Sequence, residues 1–168
     1  MAAVLAAERG RVRGTVSPAH ALLIAGPALL LLGALGFQHI GGLAPCEMCL
    51  WQRWPHLAAL LLAVAALGLD GAARRAALIV AAGAVLTSGA IGAYHAGVEW
   101  HWWAGPTHCT PVVAIGAGDF LKAMVAAPLV RCDVAAWQMA GISMAGWNAL
   151  ISAGIAAFAW ARLRSARA

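Results

Sequence analysis

Four apolar stretches constrain this chain more than any other feature, because each is long enough to cross about 30 Å of hydrocarbon at about 1.5 Å per residue. They run over about residues 19–37 ("AHALLIAGPALLLLGALGF"), 50–69, 76–97 and 144–161. Composition agrees. Of the 168 residues 63% are apolar and 10% charged, whereas soluble domains lie nearer half apolar and a quarter charged. The mean hydropathy is +0.82. The first stretch follows a basic segment but is long, and no small-residue cleavage site follows it before Cys46. It reads as a retained span rather than a cleaved signal peptide.

The arginines give an orientation. Arg9, Arg11 and Arg13 precede the first stretch, Arg74 and Arg75 separate the second from the third, and Arg162, Arg164 and Arg167 follow the fourth. With four spans these groups share one side and hold eight of the eleven Lys and Arg residues; Arg53, Lys122 and Arg131 fall on the other. The excess of positive charge inside puts both termini and the "DGAARR" turn in the cytoplasm. The net charge of +5 therefore does not point to nucleic acid, since it sits in short clusters between apolar runs rather than on one face. The expected fold is an all-α membrane protein, a single domain over 1–168 built as a four-transmembrane-helix bundle. Small residues in the first and third spans (Gly26, Gly33, Gly36, Gly83, Ser88, Gly89, Gly92) would let its helices approach closely.

Two segments face outward, about 38–49 and 98–143. The second is too long for a simple turn. Val113, Phe120, Leu121, Met124 and Val125 in it suit a short interfacial helix on the lipid bilayer. Trp51, Trp54, Trp100, Trp102, Trp103 and Trp137 all fall near the outer boundary, as an aromatic belt requires.

All four cysteines, Cys46, Cys49, Cys109 and Cys132, land on this outer side, which in a bacterium is the periplasm, where disulfides persist. In "GLAPCEMCLWQRW" two thiols stand at a spacing that closes a small reducible ring or shares a metal. Cys49 falls near the start of the second span, where a helix dipole favours an anion. Arg53, four residues on, shares its face. Both lower a thiol pKa, and the thiolate is the reactive form. An arginine this near hydrocarbon needs a partner; its other role would be an interfacial side chain reaching lipid phosphate. Cys109 and Cys132 could simply close a structural loop. A shared zinc is disfavoured, because the second pair lacks the close spacing of structural sites. Pro55 suggests that the regular second helix begins or kinks there, and Gly41 and Gly42 would loosen the first loop.

The residues 37–53, "FQHIGGLAPCEMCLWQR", resemble the first outer loop of the disulfide bond formation protein B (DsbB) family of inner-membrane thiol:quinone oxidoreductases. "THCTP" and "RCDVAAWQMAGISMAGWN" resemble its second. The resemblance covers the chain from the first span to the fourth. It implies that a periplasmic DsbA-like thiol oxidase is reoxidised through Cys109 and its partner Cys132, then through Cys46 and Cys49. It also implies ubiquinone from the membrane quinone pool, with menaquinone as substitute, as the cofactor. Cys49 would face the quinone. Arg53 would stabilise charge there, and His95 and Trp137 would line the same pocket. A vitamin K epoxide reductase-like protein, a specialised paralogue serving one dedicated partner, and a structural protein with static disulfides are the competing readings.

Overall fold

The first helix has clear start and stop signals. Ser17 caps it, accepting a hydrogen bond from His20 N at 3.3 Å, and Pro18 takes the first turn, where a missing N–H costs nothing. In the computed structural model, which describes residues 16–106, 110–111 and 129–165, this helix is α1 (Pro18–His39). Helix α2 (Glu47–Ala65) ends in a 3₁₀ turn (Ala66–Gly68), and α3 (Gly71–Glu99) follows at once. The outer segment adds two short antiparallel pairs, β1 (Thr110–Pro111) with β2 (Leu129–Val130), and β3 (Gln138–Met139) with β4 (Ile142–Ser143). Helix α4 (Met144–Ser165) completes the bundle. The expected interfacial helix, together with Cys109, lies outside the described residues.

Helix α3 packs most extensively on α4 and α2, while α1 lies against α2 and α4. Small side chains allow this. Ala59, Ala63, Ala81, Ala82 and Ala159 are fully buried in the main core, with Leu23 and Val85 filling between them. The glycines divide into two groups. A Cβ on Gly89 would come within 2.9 Å of Ser152, and one on Gly92 within 2.8 Å of the Ala145 carbonyl. Gly33, Gly36 and Gly83 face open space. Close packing therefore rests on α3 against α4, with Gly26 on α1 adding a contact to Ile155.

Helices α1, α3 and α4 are long and apolar enough to cross a membrane, which fits a multi-pass membrane protein. The stretch expected to span at 50–69 falls on α2 and the turn after it, and α2 is not among those helices. Its first turns carry Glu47, Gln52, Arg53 and His56, so its apolar run begins only at Leu57.

Two local expectations need correction. The second helix begins at Glu47, and Pro55 lies inside it. The Cys46 side chain caps that helix, accepting from Cys49 N at 3.2 Å, so one hydrogen bond lost at the proline does not set the start. Gly41 and Gly42 also do not loosen the first loop. Gly41 N and Leu43 N donate to the carbonyls of Gly36 and Phe37, each at 3.0 Å, and Gly42 takes φ +69° to close the end of α1.

Candidate functional site

Cys46 caps α2 and Cys49 sits in its first turn, so the pair is held where the first outer loop enters the bundle. Cys46 is 3% exposed and Cys132 6%; they pack with Met48 and Val98 into a small outer core. The Cys46 and Cys49 sulfurs are 2.7 Å apart. Both residues stand ahead of position 50, where the expected second span begins. The hydrogen bond between the sulfurs pushes the Cys46 thiol far above its ordinary 9.0, and burial adds to this. The same contact lowers Cys49. Burial and the Glu99 carboxylate oppose that lowering, and the Arg53 charge assists it. The pair is thus asymmetric: Cys46 is the raised thiol and Cys49 the lowered one.

The two sulfurs open on a cavity of about 450 Å³. Arg53, His95, Trp137 and Glu99 line it too, and Leu29, Leu30, Phe37, Met144 and Ile151 form apolar walls. Of the expected site residues, Cys46, Cys49, Arg53, His95 and Trp137 all line this space, and Cys132 borders it behind Cys46. Arg53 is turned toward α1, its Nη1 donating to Gln38 Oε1 at 2.6 Å and its Nη2 to the Ala34 carbonyl at 3.5 Å. Trp137 tilts against Phe37, with ring centroids 5.0 Å apart. The other five belt tryptophans are exposed. Trp137 is held by the β3–β4 hairpin, whose two-residue turn uses Ala140 and Gly141 at φ +53° and +76°.

A polar network beneath the thiols was not anticipated. Gln52 Nε2 donates to the Met48 carbonyl at 3.1 Å and to Nδ1 of His95 at 2.9 Å. Its Oε1 receives Asn148 Nδ2 at 2.8 Å, and the same Asn148 amide meets the Ser88 carbonyl at 3.2 Å. Asn148 Oδ1 accepts from Ser152 Oγ at 3.1 Å and from His56 Nε2 at 2.8 Å. Because the Met48 and Ser88 carbonyls only accept, both amides have one possible orientation. His95 therefore accepts at Nδ1 and keeps its proton on Nε2, which faces Cys46 Sγ at 3.6 Å and Glu99 Oε1 at 3.7 Å. The available signal was a polar residue, Asn148, inside an apolar stretch, which in a membrane segment is functional by default.

Cys46, His95 and Cys132 offer donor atoms within 4.8 Å of one another, a compact set for a metal. The surrounding hydrogen bonds disagree with one. A metal at His95 Nε2 needs the proton on Nδ1 and an acceptor there, whereas Gln52 presents a donor. The set suits exchange between sulfurs better than ligation.

Fold and site together define a helical multi-pass membrane protein that buries a dithiol at the mouth of an apolar cavity. The family model "Disulfide bond formation protein DsbB" matches residues 17–162, and the chain belongs to that family. Among similar proteins, the disulfide bond formation protein B of Aromatoleum aromaticum is 33% identical over 138 residues, covering 76% of this chain and 82% of its own. Those of Methylococcus capsulatus and Albidiferax ferrireducens are 32% and 34% identical, covering 78% and 74% of this chain and 84% and 76% of their own. No solved structure matches the chain. Family membership supports a function in disulfide bond formation, as a disulfide-generating oxidoreductase of the membrane.

Proposed function

We propose that this protein is a thiol:quinone oxidoreductase of the bacterial inner membrane that reoxidises a periplasmic DsbA-like dithiol oxidase. One observation carries the reading: a lowered thiol, Cys49, opens on an apolar cavity that also holds Arg53, His95 and Trp137. Partner thiols reduce Cys109–Cys132, and Cys132, its sulfur within 4.8 Å of that of Cys46, exchanges with the Cys46–Cys49 pair by thiolate attack.

The cavity suits a quinone. Its volume of about 450 Å³ lies within the range of small-molecule sites, about 300–1,000 Å³. Its α1 wall includes Leu29, which is 67% exposed on the outer surface of the bundle, so an isoprenoid tail can leave toward lipid. When bound, ubiquinone, or menaquinone in its place, accepts the electron pair released as Cys46 and Cys49 close their disulfide. The chain's own residues prepare for this. Cys49 presents the thiolate, Arg53 offsets negative charge, His95 Nε2–H supplies a fixed donor, and Trp137 and Phe37 exclude water.

In this reading α2 is the fourth span, with its polar first turns at headgroup level. The termini are cytoplasmic and the segments 38–49 and 98–143 periplasmic, as the arginine asymmetry predicts. The cellular test is the redox state of the partner oxidase. In a Cys49→Ser strain the reduced form should accumulate; a partner that stays oxidised there, with no other oxidant added, contradicts the proposal.

A further inference from the structure

Thiol exchange at this site leaves one buried acid without a task. Glu99 ends α3 beside the thiols and lines the cavity. Its side chain is 7% exposed, Oε1 stands 3.7 Å from His95 Nε2, and Oε2 is buried with no hydrogen-bond partner among the described residues. A buried carboxylate left partly unsatisfied is expensive, and such groups gather at sites that move protons.

Cys46 needs such a group. It is the raised thiol of the pair, and it must lose its proton to attack and regain one to leave. His95 cannot take it. Gln52 donates to Nδ1, and Gln52 cannot turn over, because Met48 and Asn148 fix both ends of its amide. His95 Nε2–H can donate to Cys46 and to Glu99, but it has no lone pair left for a proton. The other titratable or charged groups here are also unsuited. On α2, Arg53 has no acceptor, Cys49 is itself an exchanging sulfur, and His56 bonds Asn148 through Nε2. On the outer segment, Arg131 pairs with Asp133, and Cys132 is itself an exchanging sulfur.

We propose that Glu99 is the proton acceptor and donor for the Cys46 thiol, with the His95 Nε2–H between them as a positioning group. Sulfur and carboxylate flank the same N–H, at 3.6 and 3.7 Å from Nε2, and the transfer runs through water between them. In the step that frees Cys46, an incoming thiolate attacks Cys132 Sγ. A new disulfide forms, the Cys46–Cys132 bond breaks, Cys46 takes the electron pair, and the proton held on Glu99 follows. When Cys46 next attacks, its proton returns to Glu99. One disulfide replaces another, so no outside oxidant enters.

The proposal rests on the thiol-exchange reading, but its test needs neither quinone nor partner, so it can fail while that reading stands. The full-length protein, with Cys49, Cys109 and Cys132 replaced by serine and quinone removed, is alkylated by iodoacetamide across pH. A proton shared between Cys46 and Glu99 keeps a constant small fraction of thiolate, so the rate should be flat between about pH 6 and 8 before it climbs. Glu99→Gln should slow the reaction at about pH 7 by at least about tenfold and remove the flat limb; Glu99→Asp should restore part of it. A rate that is unchanged or faster in Glu99→Gln overturns the proposal, because a carboxylate that merely repels a thiolate gives that result. A Glu99 protein whose rate climbs about tenfold per pH unit from pH 6 upward overturns it without any variant at position 99.

Discussion

Nε2 of Gln52 stands 2.9 Å from Nδ1 of His95, and its Oε1 receives the amide of Asn148, so one side chain of α2 fixes groups on both α3 and α4. Gln52→Leu would leave the His95 nitrogen unpaired in the bundle and take from Asn148 its shortest Nδ2 contact, leaving it the Ser88 carbonyl and hydroxyl. The expected loss is about 1–3 kcal/mol in thermal or denaturant unfolding. Asn148→Leu should cost a similar amount, and the double variant less than the two together, because the residues share partners. Fully additive losses would show that they do not form one network.

The asymmetry of the dithiol sets a pH order. Cys49 is lowered from its ordinary 9.0 and Cys46 is raised. As pH rises from the acid side, the reduced protein should therefore be alkylated first at Cys49 and only later at Cys46. Removing the Arg53 charge takes away a cause that lowers Cys49. Arg53→Met should move the Cys49 labelling profile to higher pH and slow its labelling at neutral pH, about tenfold for every pH unit the profile moves. Peptide mapping by mass spectrometry reads both sites, and labelling that begins at Cys46 would contradict the assignment.

The glycines separate by geometry alone. Gly92→Val drives a side chain into the Ala145 carbonyl, whereas Gly83→Val meets nothing within 4 Å. The first should destabilise the protein by about 1–3 kcal/mol or more, as overpacking does, and the second should lie within about 0.5 kcal/mol of the unsubstituted protein. Thermal unfolding in the same detergent compares them.

These glycines show what the sequence can and cannot convey. Seven small residues in the first and third stretches look equivalent in one dimension, because the neighbouring helix that makes Gly92 tight and Gly83 open is absent from the pattern. The long helices were legible from apolar runs, since burial in lipid needs only length and composition. The position of Cys49 and Arg53 in the first turns of α2 was legible because a helix start and i,i+4 spacing are local. The Gln52–Asn148 bond joins residues 96 positions apart, and no local rule points one at the other. As a start signal Pro55 misled for the opposite reason: a local breaker was overruled by the cap at Cys46 and by the cross-helix hydrogen bonds of Gln52. Spacing alone left Trp137 as one more tryptophan near the outer boundary; the family resemblance pointed it at the pocket, and the β3–β4 hairpin holds it at the cavity.

The central claim is that electrons leave this dithiol for a quinone. The most direct measurement is the absorbance change of ubiquinone when the purified protein is mixed with a reduced periplasmic dithiol oxidase. One quinone should be reduced per partner disulfide formed, and this reduction should be lost in Cys49→Ser and slowed in Arg53→Met. Partner oxidation without quinone reduction, or quinone reduction that survives Cys49→Ser, would contradict the claim.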